Sequence, residues 1–145
     1  MYYLLILLGL LLNCNDAVTT MPVAEISVIT DKESYRVQEE IVVTIENGLD
    51  TPITSQDQRT YCSIIILEQQ LAAGWQPVNN CTANAPGQEV TIHPDSVATV
   101  TLIPNQLSDG IITSGTYRAT LLYTTGPSFR PAQTSTASSA EFLVR

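Results

Sequence analysis

Four consecutive residues, His93-Pro94-Asp95-Ser96, bring together an imidazole, a carboxylate and a hydroxyl, the side-chain types of a hydrolytic triad. Nucleophilic catalysis needs the imidazole between the other two groups, with the three converging from separate elements. Neighbours on one tight turn point apart, so this segment reads as a Pro-Asp turn joining two strands. Asp31 with Glu33, and Glu39 with Glu40, are the other local concentrations of carboxylate. A calcium ion takes about six to eight oxygen ligands. No loop here is acidic enough to supply them, and the expectation is solvated charge, no metal and no cofactor. With no convergent acid, base or nucleophile, no catalytic residue is assigned and the chain is not expected to be an enzyme.

The three cysteines are Cys14, Cys62 and Cys81. There is no C-x-x-C spacing, and a single histidine, His93, adds too few ligands for a zinc site. A bridge between Cys62 and Cys81 closes a loop of about 20 residues and stabilises by about 3 kcal/mol in the loop-entropy account. It leaves Cys14 without a thiol partner. The alternative is a pair of free thiols in a reducing compartment. Asn80-Cys81-Thr82 matches the N-glycosylation acceptor, a three-residue pattern that reads as a chance match.

Two aromatic positions are of interface type. Trp75 follows Gly74 and reads as packing in a core or over a disulfide, with an exposed binding aromatic as the alternative. Phe129 and Arg130 stand between Pro127 and Pro131 inside Thr125 to Ser138, which continues in a run rich in serine, threonine and alanine and reads as one long surface hairpin loop. Prolines on either side reduce the entropy lost in presenting the two side chains to a partner. An inert loop is the competing reading.

These residues must be positioned by strands. Among 145 residues there are 18 threonines, 13 isoleucines and 11 valines but one lysine, a bias toward pleated, half-buried surfaces. The formal net charge of -8 lacks the basic footprint that nucleic-acid binding requires. Apolar or alternating segments are predicted as strands at Ile26 to Thr30, Glu40 to Glu46, Tyr61 to Gln69, Trp75 to Asn79, Glu89 to Ile92, Val97 to Ile103, Thr116 to Thr124 and Ala140 to Val144. Seven or eight short strands at roughly 10-residue spacing, without a helical period or internal repeat, predict an all-β antiparallel β-sandwich. A closed barrel fits the unequal loops less well. Gly115-Thr116-Tyr117 reads either as a tyrosine corner or as an ordinary core aromatic.

At the N-terminus, Tyr2 to Leu12 is almost unbroken apolar sequence, about 17 Å as a helix against a bilayer core of about 30 Å. It reads as a secretory h-region without the usual basic n-region. Leu11-Leu12-Asn13-Cys14 resembles the bacterial lipoprotein box, which implies lipid attachment at Cys14, and departs from it at Asn13, where a small residue is usual. Cleavage near Ala17 by ordinary signal peptidase and an uncleaved anchor are the alternatives. The organisation expected is a signal peptide over 1–13, a tether over 14–24 and the sandwich over 25–145.

The run Thr30-Asp31-Lys32-Glu33-Ser34-Tyr35-Arg36-Val37-Gln38-Glu39-Glu40-Ile41 is followed by Ile45-Glu46-Asn47, and later by Gly115-Thr116-Tyr117-Arg118 and Ser139-Ala140-Glu141-Phe142. Together these resemble bacterial immunoglobulin-like domains of extracytoplasmic lipoproteins and, in outline, the bacterial intracellular proteinase inhibitor domain. The likeness departs at Gln38, where such domains usually carry glycine. It implies a non-enzymatic, membrane-anchored envelope module whose partner is a protein or a glycan. A proteinase inhibitor acting through the Thr125 to Ser138 loop is the second reading. There Phe129 enters the specificity pocket, because Pro131 blocks cleavage after Arg130. The sandwich topology further predicts that the start of the first strand shares one end with the Asn47 to Thr60 and Thr125 to Ser138 loops, and that Asp31 to Glu39 and Pro104 to Gly115 lie at the other.

Overall fold

The computed structural model describes residues 25–58, 63–78, 87–104 and 112–145. Among them the chain forms eleven strands: β1 (Ile26–Thr30), β2 (Ser34–Tyr35), β3 (Ile41–Asn47), β4 (Ile53–Gln58), β5 (Ile65–Leu71), β6 (Gly74–Pro77), β7 (Gly87–Ile92), β8 (Ser96–Leu102), β9 (Gly115–Thr125), β10 (Ser135–Ser138) and β11 (Phe142–Val144). Strand alternation makes two sheets that share one core. The smaller is β1-β3-β8, all antiparallel. The larger is built on β9, which pairs with β5 along one edge and with β11 and β10 along the other, while β6 extends β5 and the β4-β7 pair joins at the far end of β9. The fold is the all-β sandwich that the strand spacing predicts.

The core follows from the period of two. Ile41, Val43 and Ile45 on β3 are buried against Ile65, Leu67, Tyr117, Ala119, Leu121, Phe142 and Val144 of the larger sheet. Each such aliphatic side chain contributes about 1.5–3 kcal/mol by leaving water. Phe142 ties three strands together, meeting Tyr35 of β2 edge-on at 5.2 Å and stacking beside Tyr117 of β9 at 6.1 Å.

The first stretch of chain serves both sheets. After β1 the backbone turns through 31–33 and crosses to β2, which runs parallel to β11 with Ser34 opposite Leu143 and Tyr35 opposite Val144. The crossing is braced by Asp31, whose Oδ1 accepts from the Tyr35 hydroxyl at 2.6 Å and from the Val42 N–H at 3.2 Å. This pair is the parallel exception to the antiparallel expectation.

Three strands differ from the sequence expectation because they carry little apolar alternation. One is the two-residue β2. Another, β4, lies within the predicted Asn47 to Thr60 loop; its buried Thr54 and Ser55 donate to the carbonyls of Gly126 and Leu122, both at 2.7 Å. The third, β10, shortens the predicted Thr125 to Ser138 loop. Ser135 to Ser138 pair with Tyr123 to Thr120, leaving 126–134 with a one-turn 3-10 helix at Pro131–Gln133. Its small residues suit a strand that is mostly exposed and turns only Ala137 partly inward. Between β10 and β11 one extra residue, a bulge, separates the Ser138–Thr120 and Phe142–Tyr117 pairings.

The ends of the sandwich are fixed by loop-to-loop hydrogen bonds. Gly48 N–H donates to Glu25 O at 3.0 Å and Gly126 N–H to Pro52 O at 2.8 Å, so the start of β1 lies with the segments after β3 and β9. A Cβ on Gly48 would meet Glu25 O at 2.8 Å, which is why glycine follows Asn47 there. Val37 N–H donates to Arg145 O at the opposite end.

Candidate functional site

The outer face of the larger sheet carries a polar and aromatic cluster that register, not sequence proximity, assembles. Glu68 on β5 lies opposite Arg118 on β9 and opposite Pro77 on β6, while Trp75 on β6 lies opposite Gln70. These positions alternate with the inward Leu67, Tyr117 and Ala119, so their side chains share the outward surface. Arg118 Nε donates to Glu68 Oε2 at 2.6 Å, and the guanidinium lies over the Trp75 ring with its carbon 4.5 Å from the centroid. Thr120 Oγ1 donates to the same carboxylate oxygen at 2.6 Å and lies 2.8 Å from Ser138 Oγ on β10.

The cluster is partly withdrawn from water, with side-chain exposures of 16% for Glu68 and 29% for Arg118. Burial alone would raise the Glu68 carboxyl. The hydrogen bonds from Arg118 and Thr120 and the charge of the guanidinium outweigh it and hold the group below its ordinary value. Three strands thus fix a charged fork, a carboxylate and an indole in one place. An aromatic and an arginine on rigid strands are residue types over-represented at the energetic centres of interfaces. Trp75 is therefore neither a core residue nor a free surface aromatic; it is half-buried beneath Arg118. Gly74, which opens β6 just before it, has φ of 100°, a backbone conformation that side chains disfavour.

The 126–134 segment holds Phe129 and Arg130 differently from one another. Phe129 is half-buried and its N–H donates to Glu89 Oε1 at 3.2 Å, tying the loop to β7, while Arg130 is exposed.

The remaining sequence candidates resolve into structural roles. His93 to Ser96 is the tight β7-β8 turn, with Ser96 N–H on His93 O at 3.2 Å, Ser96 Oγ on Pro94 O at 3.3 Å and Asp95 at φ of 54°. Neither hydroxyl nor carboxylate is hydrogen-bonded to the imidazole there. Asp31 braces the β1-β2 crossing, and Glu39 receives Lys32 Nζ at 2.7 Å and Arg36 N–H at 2.7 Å. Among the described residues no group of three or more His, Cys, Asp or Glu is placed to hold a metal ion. Tyr117 forms the tyrosine corner: its hydroxyl donates to Thr113 O at 2.7 Å and accepts from Thr113 N–H at 3.2 Å. Gln38 keeps a glycine-like backbone, at φ of 71°, in the turn where the family resemblance marks a departure. Asp57 Oδ1 is buried without a partner among the described residues, and burial raises its carboxyl. Cys14, Cys62 and Cys81, the Asn80-Cys81-Thr82 match, the 1–13 signal segment and the 14–24 tether lie outside the described residues.

No family model and no curated protein matches the chain. Among solved structures it is similar to a β-glucosidase from Listeria innocua in complex with glucose, at 20% identity and a TM-score of 0.35, covering 83% of this chain and 16% of that one. A mutant of the β-glucosidase from the same organism in complex with laminaribiose gives 19% identity and a TM-score of 0.34, again over 83% and 16%. The chain spans about one sixth of the length of these enzymes. The fold assignment rests on the strand pairing described above.

Proposed function

We propose that this chain is a non-enzymatic binding module of the bacterial cell envelope, an immunoglobulin-like domain held at a membrane by a lipid on Cys14. Its partner is an envelope protein or glycan. The observation that carries the binding role is the rigid Trp75–Arg118–Glu68 cluster on the open face of the larger sheet. The Tyr117 corner and the β1-to-β2 crossing support the likeness to immunoglobulin-like domains of extracytoplasmic lipoproteins. A Cys62–Cys81 bridge belongs to this reading on the loop closure that the sequence offers, both cysteines lying outside the described residues. Within this reading the half-buried Phe129, with its amide tied to Glu89, is less suited than a free ring to the specificity pocket of a proteinase.

Intact mass of the membrane-associated mature protein tests the anchor. A diacylglyceryl mass on a chain beginning at Cys14 is expected, and a soluble chain beginning at Val18 would defeat it. Photo-crosslinking from position 75 in intact cells tests the face. A discrete adduct that disappears in Arg118→Ala supports the binding role, and inhibition of a protease panel that vanishes in Phe129→Ala would replace it with the inhibitor reading.

A further inference from the structure

The smaller sheet ends on an unusual edge. Strand β8 pairs with β3 along all seven residues, Ser96 opposite Asn47 through Leu102 opposite Ile41, and its other edge meets no strand among the described residues. The preceding strand, β7, pairs instead with β4 in the larger sheet. The parity of the free edge follows from the ladder. Asp31 N–H donates to Val42 O and Gly48 N–H to Glu25 O, so Val42, Thr44 and Glu46 turn their backbone groups toward β1. Ile41, Val43 and Ile45 therefore serve β8, through Leu102, Val100 and Ala98, while the Asn47 carbonyl accepts from Asp95 N–H at the start of the strand. The N–H and C=O groups of Val97, Thr99 and Thr101 face outward, and their side chains are exposed, Val97 by 61%. Natural edges are usually blunted by charge, proline or a bulge. Ser-Val-Ala-Thr-Val-Thr-Leu has no charge and no proline, in a chain of net charge -8.

We infer that β8 pairs antiparallel with β8 of a second copy of this chain about a two-fold axis at Thr99, joining two smaller sheets into one continuous sheet. The strand is complementary to itself in that register alone at full overlap. Thr99 faces its own copy and Val97 faces Thr101, so every outward-turned N–H and C=O finds a partner. The side chains above form Thr–Thr and Val–Thr pairs, which favour pairing. On the inner face Ala98 meets Val100. Charge also fits. The acid beside this edge, Glu46, lies in the row of Val97 and so continues into the Thr101–Val42 row of the other copy, never onto its own counterpart. An edge about 20 Å long buries less than the roughly 1,000 Å² of a stable interface, so the dimer is reversible and concentration-dependent.

Sedimentation of the full-length chain in neutral detergent across a wide concentration range tests this. A monomer–dimer equilibrium is expected in the unsubstituted chain. It should be lost in Thr99→Lys, which sets like charges directly opposite each other, and retained in Thr44→Lys, one strand further in on the same face. Thr99→Cys should in addition give an oxidation-dependent covalent dimer, with the bridge mapped to position 99, since directly opposed hydrogen-bonded residues have Cα atoms about 5.5 Å apart. The crosslink decides the matter even if Thr99→Lys fails to fold. A chain monomeric throughout, a dimer undiminished by Thr99→Lys, or Thr99→Cys giving no bridge at 99 would overturn the inference. So would an extended peptide of another protein occupying β8 in place of the second copy.

Discussion

Arg118 lies across the indole of Trp75, 4.5 Å from the ring centroid, while its Nε is held by Glu68. Trp75 is the one tryptophan in the sequence, so its fluorescence reports this contact directly. Arg118→Ala is expected to red-shift the emission by hydrating the ring and to lower stability by about 1 kcal/mol from lost stacking and ion pairing. An unchanged spectrum would mean that the guanidinium does not cover the indole in solution.

The same network has a defined pH response. Glu68 is held below its ordinary value in the folded chain, so its contribution is full above the unfolded carboxylate range and is lost as pH falls through the lowered value. Acid titration of Trp75 emission should therefore show a transition absent from Glu68→Gln, before global unfolding. Identical titrations for the two proteins would refute the coupling.

Tyr35 answers at the other end of the scale. Burial, reinforced by its hydrogen bond to Asp31, pushes the phenol up to about 12. A raised folded-state value means stability that is complete below the unfolded tyrosine value of about 10 and is lost as pH rises toward the folded one. The loss is on the order of 2 kcal/mol between those limits. Urea midpoints measured across the alkaline range should fall in the unsubstituted chain and fall less in Tyr35→Phe.

Removal of a single hydroxyl tests the tyrosine corner. Tyr117→Phe keeps the buried ring and deprives Thr113 of both hydrogen bonds, an expected loss of about 1–2 kcal/mol in urea denaturation with an unchanged m-value. A negligible loss would reduce Tyr117 to a packing residue.

Gln38 offers a gain instead. A side chain in the left-handed region is strained by roughly 1–2 kcal/mol, partly offset in a glycine variant by the greater freedom of the unfolded chain. Gln38→Gly is expected to raise the melting temperature by a few degrees, whereas Gln38→Val should lower it.

How far such features can be read from sequence depends on what buries them. Strands β3 and β9 announce themselves because Ile41, Val43 and Ile45, and Tyr117, Ala119 and Leu121, alternate with residues of the outer face. Strand β4 does not, because Thr54 and Ser55 reach the interior as hydroxyls whose partners, Gly126 and Leu122, are about 70 residues away. Thr-Ser-Gln-Asp-Gln has no apolar signature to detect. The site has the same difficulty. Trp75 is conspicuous alone, but Glu68 and Arg118 are 50 positions apart and become neighbours through the β5-β9 register. The Tyr117 corner is legible because its geometry is local, four residues from donor to acceptor.

The parallel β2-β11 pair has a mechanical consequence. Pulling on the chain before β2 and on a load attached after β11 drives the two strands past each other lengthwise. The bonds Leu143 N–H to Glu33 O, Arg145 N–H to Tyr35 O and Val37 N–H to Arg145 O then bear the load together instead of opening one at a time. Such a shear clamp resists tension far better than a hairpin peeled from one end. A pull applied across this pair is therefore met by all three bonds at once.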